Sequence, residues 1–124
     1  MSKTINVSDE TYNKIKDQLQ INDKDIKLEK NYVLIRTYSA GVHAGVLEKR
    51  DGKEVELKNA RRLWYWDGAF TLSEIATKGV DKPEDCKFSC EVDSIILTEA
   101  IEIILCSDNA QRIIRGVKVY NNDD

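Results

Sequence analysis

The stretch Glu54-Val-Glu-Leu-Lys-Asn-Ala-Arg-Arg-Leu-Trp-Tyr-Trp-Asp-Gly68 decides how this chain folds. Its first five residues alternate, with Val55 and Leu57 directed inward, so it opens as a strand buried on one face. Asp51-Gly52 just upstream is a hairpin turn signal, which makes the stretch the return arm for residues 42–49. Asn59-Ala60 reads as a bulge, an extra residue that changes which face the following side chains take. Residues 59–66 continue as strand, and Gly68 ends it. Past the bulge, Arg62, Trp64 and Trp66 share one face while Arg61, Leu63 and Tyr65 share the other.

Working outward, residues 32–38 are β-branched and aromatic, Ser39-Ala-Gly41 makes a turn, and two consecutive hairpins give an antiparallel meander. Thr71-Leu-Ser-Glu74 has capping-box spacing and Gly79 is a C-terminal stop, which predicts a helix over 72–78. Cys86, Phe88, Cys90 and Val92 alternate with polar residues, predicting a one-sided strand with both thiols inward. Residues 95–105 hold five isoleucines and favour one or two strands. Ser107 caps a helix running to about Arg115, and residues 117–120 read as a last short strand. Residues 1–30 form an arm, with a short strand over 4–7 and a helix from Ser8 that aligns Tyr12, Ile15 and Leu19. Residues 31–120 are the globular domain, and 121–124 a frayed tail. The expected class is α+β, an antiparallel meander rolled into a small barrel-like sheet with two or three short helices. Its exposed edges point to a homo-oligomer.

The 124 residues suit one domain, which buries about two-thirds of the surface of its unfolded chain. Nineteen basic and 22 acidic side chains give a net charge of −3, without a basic face for duplex DNA. No segment is long and apolar enough for a membrane helix, and the N-terminus lacks the apolar run of a signal peptide. Three cysteines without an export signal fit free thiols in a reducing cytoplasm.

No catalytic, metal or cofactor motif stands out. Cys86 and Cys90 are spaced C-x3-C, unlike a zinc knuckle, and only Cys106 and the single His43 could join them. Neither a nucleophile elbow nor a phosphate-cradling loop is present. Glu99 and Glu102 sit among isoleucines, where Glu99 reads as the edge between two strands. What remains is Arg61, Arg62, Trp64 and Trp66. In one reading, one aromatic set fills the core and the arginines pair with Glu48, Glu54 or Glu56 across the meander. In the other, a guanidinium beside an exposed indole grips a phosphate and stacks a base. Arg36, Tyr38 and Ser39 join that site if the sheet curls. The expectation is a binding protein, not an enzyme. Its ligand is a nucleotide-like anionic small molecule; the alternatives are a host protein and, more weakly, single-stranded nucleic acid.

Several ordered blocks add a resemblance. They are Thr37-Tyr-Ser-Ala-Gly-Val42, Gly45, Asn59-Ala-Arg-Arg-Leu-Trp-Tyr-Trp-x-Gly68, Leu72-Ser73 and Cys86-Lys-Phe-x-Cys-x-Val92. Together they resemble a family of small phage and prophage proteins described as a domain of unknown function, over about residues 31–120. The resemblance implies phage origin and host-cell cytoplasm, places His43 at a variable position, and supplies no catalytic residue.

Overall fold

A computed structural model of the chain describes residues 27–120. The strand and helix expected in the arm at 4–19, and the tail at 121–124, lie outside the described residues. The order of elements is β1 (Tyr32–Thr37), β2 (Val42–Asp51), β3 (Glu54–Tyr65), α1 (Leu72–Lys78), a 3-10 turn (Pro83–Asp85), β4 (Lys87–Phe88), β5 (Val92–Leu97), β6 (Ala100–Leu105) and α2 (Asp108–Gly116). Among the described residues the fold is α+β, one antiparallel six-stranded sheet carrying two helices.

The sheet runs β4-β3-β2-β1-β6, and β5 joins the outer edge of β3 ahead of β4. The Asn59 bulge governs this sharing. Ala44 pairs with Arg61 but Val46 pairs with Lys58, so β3 carries one residue more than β2 across that step. Asn59 takes it up with a φ of 50°, a left-handed conformation that asparagine tolerates better than most residues. Opposite lies Gly45, where a Cβ would stand 3.0 Å from the Lys58 carbonyl and 3.1 Å from Ala60. The bulge brings the two backbones so close there that even a Cβ would push its neighbours by a few tenths of an ångström. Before it, Val55 and Leu57 face one side; after it, Arg61 and Leu63 face the other.

Each side of the sheet therefore has its own core. Tyr32, Leu34, Leu63 and Phe88 pack beneath the helices against Ile75 and Ile114. Val33, Ile35, Val55, Leu57 and Leu97 form the core of the other side. β1 feeds both with alternate residues and is apolar throughout its first four positions, the pattern of a strand covered on both faces.

The helices start and stop as their caps dictate. The Thr71 hydroxyl accepts from Glu74 N–H, and the Glu74 carboxylate reaches back to the Phe70 N–H at 3.0 Å. Ser107 accepts from Ala110 N–H at 3.0 Å. α2 is fixed along its length. Buried Gln111 exchanges two 2.9 Å bonds with the Glu29 main chain, and Arg115 holds Glu91 at 3.0 Å and the Lys27 carbonyl at 2.9 Å.

Three sequence expectations are corrected. The sheet is not a closed barrel: β5 and β6 lie on opposite margins, joined through Thr98 and Glu99, and do not pair. Backbone groups at that corner are taken by the two hairpin tips, Ala100 N–H donating to the Lys53 carbonyl and Tyr38 N–H to Glu99. The strand expected over 86–92 shrinks to Lys87–Phe88, and Cys90 is exposed. The Ser89 hydroxyl accepts the Arg62 N–H at 2.8 Å, so a side chain replaces the next carbonyl of the ladder. Finally, residues 117–120 contribute one bridge, Phe88 to Val119, instead of a strand.

Candidate functional site

The two adjacent arginines have different fates because the bulge sends them to opposite faces. Arg61 is buried on the helix side. Its Nε donates to Ser89 O at 2.7 Å, and Nη1 donates to Ile114 O and Val117 O, both at 2.9 Å. The guanidinium lies 5.3 Å from the Phe88 ring centroid. It thus ties β3 to the C-terminal end of α2, where unpaired carbonyls and the helix dipole favour a cation. Its Nη2 and the Tyr32 hydroxyl are buried without a partner among the described residues. Burial lowers the Arg61 pKa and raises that of Tyr32. The expected pairing of Arg61 and Arg62 with Glu48, Glu54 or Glu56 does not form. Main-chain oxygens hold one arginine, and the other faces solvent.

The remaining candidates fall in three places. Arg36 and Trp66 line one cleft of about 410 Å³, together with Phe70, Thr71, Ser73 and Glu102. Arg36 projects from β1 on the helix side opposite Glu102 of β6. Trp66 lies just past the end of β3, half-buried against the core. Phe70 is 95% exposed, and no described residue bonds the Arg36 guanidinium. The volume lies within the ~300–1,000 Å³ usual for small-molecule sites.

A second hollow, about 260 Å³, opens on the opposite face among His43, Arg62, Ser89, Cys90 and Val92. Arg61 borders it, but its guanidinium is on the helix side. His43 is buried with Nε2 2.9 Å from Ala40 O. Its pKa is lowered, chiefly by burial and further by Arg62, against the opposing effect of the Ala40 carbonyl. The ring is therefore held neutral, which suits a packed residue.

Trp64 occupies a third place. It is 65% exposed and meets Tyr120 edge to face at 5.4 Å between centroids. The Lys87 ammonium sits 5.2–5.7 Å from the rings of Trp64, Tyr65 and Tyr120. Tyr38 is exposed near the first hairpin tip, and Ser39 donates to the Glu99 carboxylate at 2.8 Å. The structure unites Arg36 with Trp66 but separates both from Arg61, Arg62 and Trp64.

Sequence reasoning missed Phe70, Glu102 and Lys87 as partners of these residues. A signal for Phe70 existed: an aromatic just before a helix N-cap normally packs on the helix as a staple, and here it stays open. Among the described residues, no three His, Cys, Asp or Glu side chains converge on a possible metal position. Nor is any described helix long and apolar enough to cross a membrane.

No curated protein and no solved structure matches this chain. Residues 30–114, well over half of it, match the model of a family described as a domain of unknown function, DUF6948, and the chain belongs to that family.

Proposed function

We propose that the cleft between β1 and the start of α1 binds a nucleotide-like anionic small molecule. The observation that carries this reading is one guanidinium, Arg36, unpaired among the described residues and in the same 410 Å³ cleft as two aromatic rings, Trp66 and Phe70. A guanidinium offers a planar fork to a phosphate. The indole and phenyl faces suit a base, whose stacking on an aromatic is worth about 1–3 kcal/mol. Glu102 can accept from sugar hydroxyls or base N–H groups, a role an anion-only ligand would not need. The protein acts by holding its ligand and not by transforming it. Sequestration of a signalling nucleotide in a phage-infected cytoplasm is the use we attach to it.

Titration of the full chain with a panel of mono- and dinucleotides, followed by calorimetry and tryptophan fluorescence, tests this. Binding should weaken at least tenfold in Arg36→Ala and in Phe70→Ala, both substitutions at exposed positions that leave the fold intact. No heat and no fluorescence change across the panel would refute the reading.

A second reading rests on a separate observation, the exposed Trp64–Tyr65–Tyr120 group around Lys87. Such aromatic patches are typical anchors for a partner protein. Trp64→Ala would then abolish capture of one stoichiometric partner and leave nucleotide binding unchanged.

A further inference from the structure

We infer that the cleft of Arg36, Trp66 and Phe70 selects guanine over the other bases, and that Glu102 is the residue that reads it. The inference rests on the nucleotide reading of that cleft and adds the identity of the base.

The arrangement of charge comes first. Among the described residues, the charged side chains lining the cleft are Arg36 and Glu102, one of each sign. They stand directly opposite each other where β1 pairs with β6, a placement that ordinarily favours a cross-strand ion pair. No such pair forms. Other acids nearby in the sheet are engaged: Glu56 holds Lys58, Glu91 holds Arg115, and Glu99 accepts from Ser39. The exposed Glu102 carboxylate takes no bond from any described residue. A nucleotide entering the cleft therefore meets a cation and, apart from it, a free carboxylate. Its phosphate is drawn to Arg36 and repelled by Glu102, so the base is the part that faces Glu102.

The chemistry of the carboxylate then names the base. An ionised carboxylate only accepts, and its two oxygens are best met by two donors side by side. Guanine presents that pair, N1–H beside N2–H, on its Watson–Crick edge. Adenine and cytosine place one amino donor beside a bare ring nitrogen, and uracil places its one N–H between two carbonyl oxygens. Each of these turns a lone pair towards the carboxylate, which is repulsive. Guanine O6, next to N1–H, calls for a donor. Ser73 lines the same cleft from the first turn of α1, and its hydroxyl has no partner among the described residues. The Thr71 hydroxyl beside it is already engaged with Glu74 N–H as the helix cap. The groups left over, one carboxylate and one hydroxyl, complement the edge of guanine.

Calorimetric titration of the full chain with GMP, AMP, CMP and UMP, which carry the same phosphate, tests the inference. GMP should bind at least about tenfold more tightly than AMP, with IMP, which lacks the N2 amino group, between them. Glu102→Gln, at an exposed position, sets one donor beside one acceptor, the complement of adenine. It should weaken GMP and strengthen AMP until the preference is lost or reversed. A general loss of structure at this position would weaken all the nucleotides together and could not exchange their order. Equal binding of all four overturns guanine selection and leaves the nucleotide site standing, whereas binding of none removes both. A guanine preference that survives Glu102→Gln unchanged also overturns the inference, because another group then reads the base.

Discussion

Arg61 and Arg36 are the same residue in two regions of one sheet, and they do opposite things. Around Arg61 the fold supplies three main-chain oxygens and an aromatic ring, with the end of α2 as a lid. Around Arg36 it supplies a cleft, two rings and, among the described residues, no bonding partner. A buried cation must be satisfied from within the protein, and that requirement turns it into a fastener. An exposed one costs the fold nothing and stays free for a ligand. Functional arginine is therefore identified by what its surroundings leave undone.

The sharpest way to break this contrast is to truncate both residues. Arg61→Ala removes the side-chain donors to the Ser89, Ile114 and Val117 carbonyls and leaves a gap over Phe88. It should cost about 2–4 kcal/mol in urea unfolding. Arg61→Lys should recover little of that, since one ammonium cannot reproduce the fork. Arg36→Ala should stay within about 0.5 kcal/mol of wild type. Equal losses at the two sites would end the distinction.

Cysteines report on the same division. Cys86 is buried in the core that Phe88 shares, and Cys106 is half-buried, so burial raises both thiols, Cys106 to about 12. Cys90, four residues from Cys86, lies exposed in the Arg62 hollow. Brief iodoacetamide treatment of the native chain at neutral pH should add one adduct, at Cys90, with the other two labelled only in denaturant. Mass spectrometry finding native Cys86 modified would mean that the helix-side core opens readily.

The smallest expected effect is on pH dependence. His43 has a folded pKa below its ordinary 6.5, so the unfolded chain binds a proton more readily than the folded one. Its stabilising contribution is complete above pH 6.5 and is lost as pH falls from there towards the lowered folded value. His43→Gln should flatten the stability curve in that window. Arg62→Gln, which removes one cause of the shift, should make it shallower. A wild-type curve identical to that of His43→Gln would show the ring to be solvated.

Local rules reached far into this fold. Alternation at Val55 and Leu57, the Asp51-Gly52 turn, the Thr71 and Ser107 caps and the Asn59-Ala60 bulge are all short-range signals, and each element they mark is present. Where alternation misled, at residues 86–92, a serine hydroxyl had taken the ladder's place, a competition that periodicity does not register. The candidate site was legible as a set of residue types but not as a place. Arg36 and Trp66 are thirty positions apart and meet only because β1 and the end of β3 flank the same helix-covered edge.

By itself, the sequence determined most of the strands, the helix ends and the stock of cations and indoles, because those depend on residue types and on contacts within a few residues. Tertiary structure alone decided which arginine is buried, which aromatic shares a cleft with a free guanidinium, and that the sheet stays open. Those outcomes turn on which backbone oxygens and which open edges meet across the sheet, and chain spacing carries no record of that.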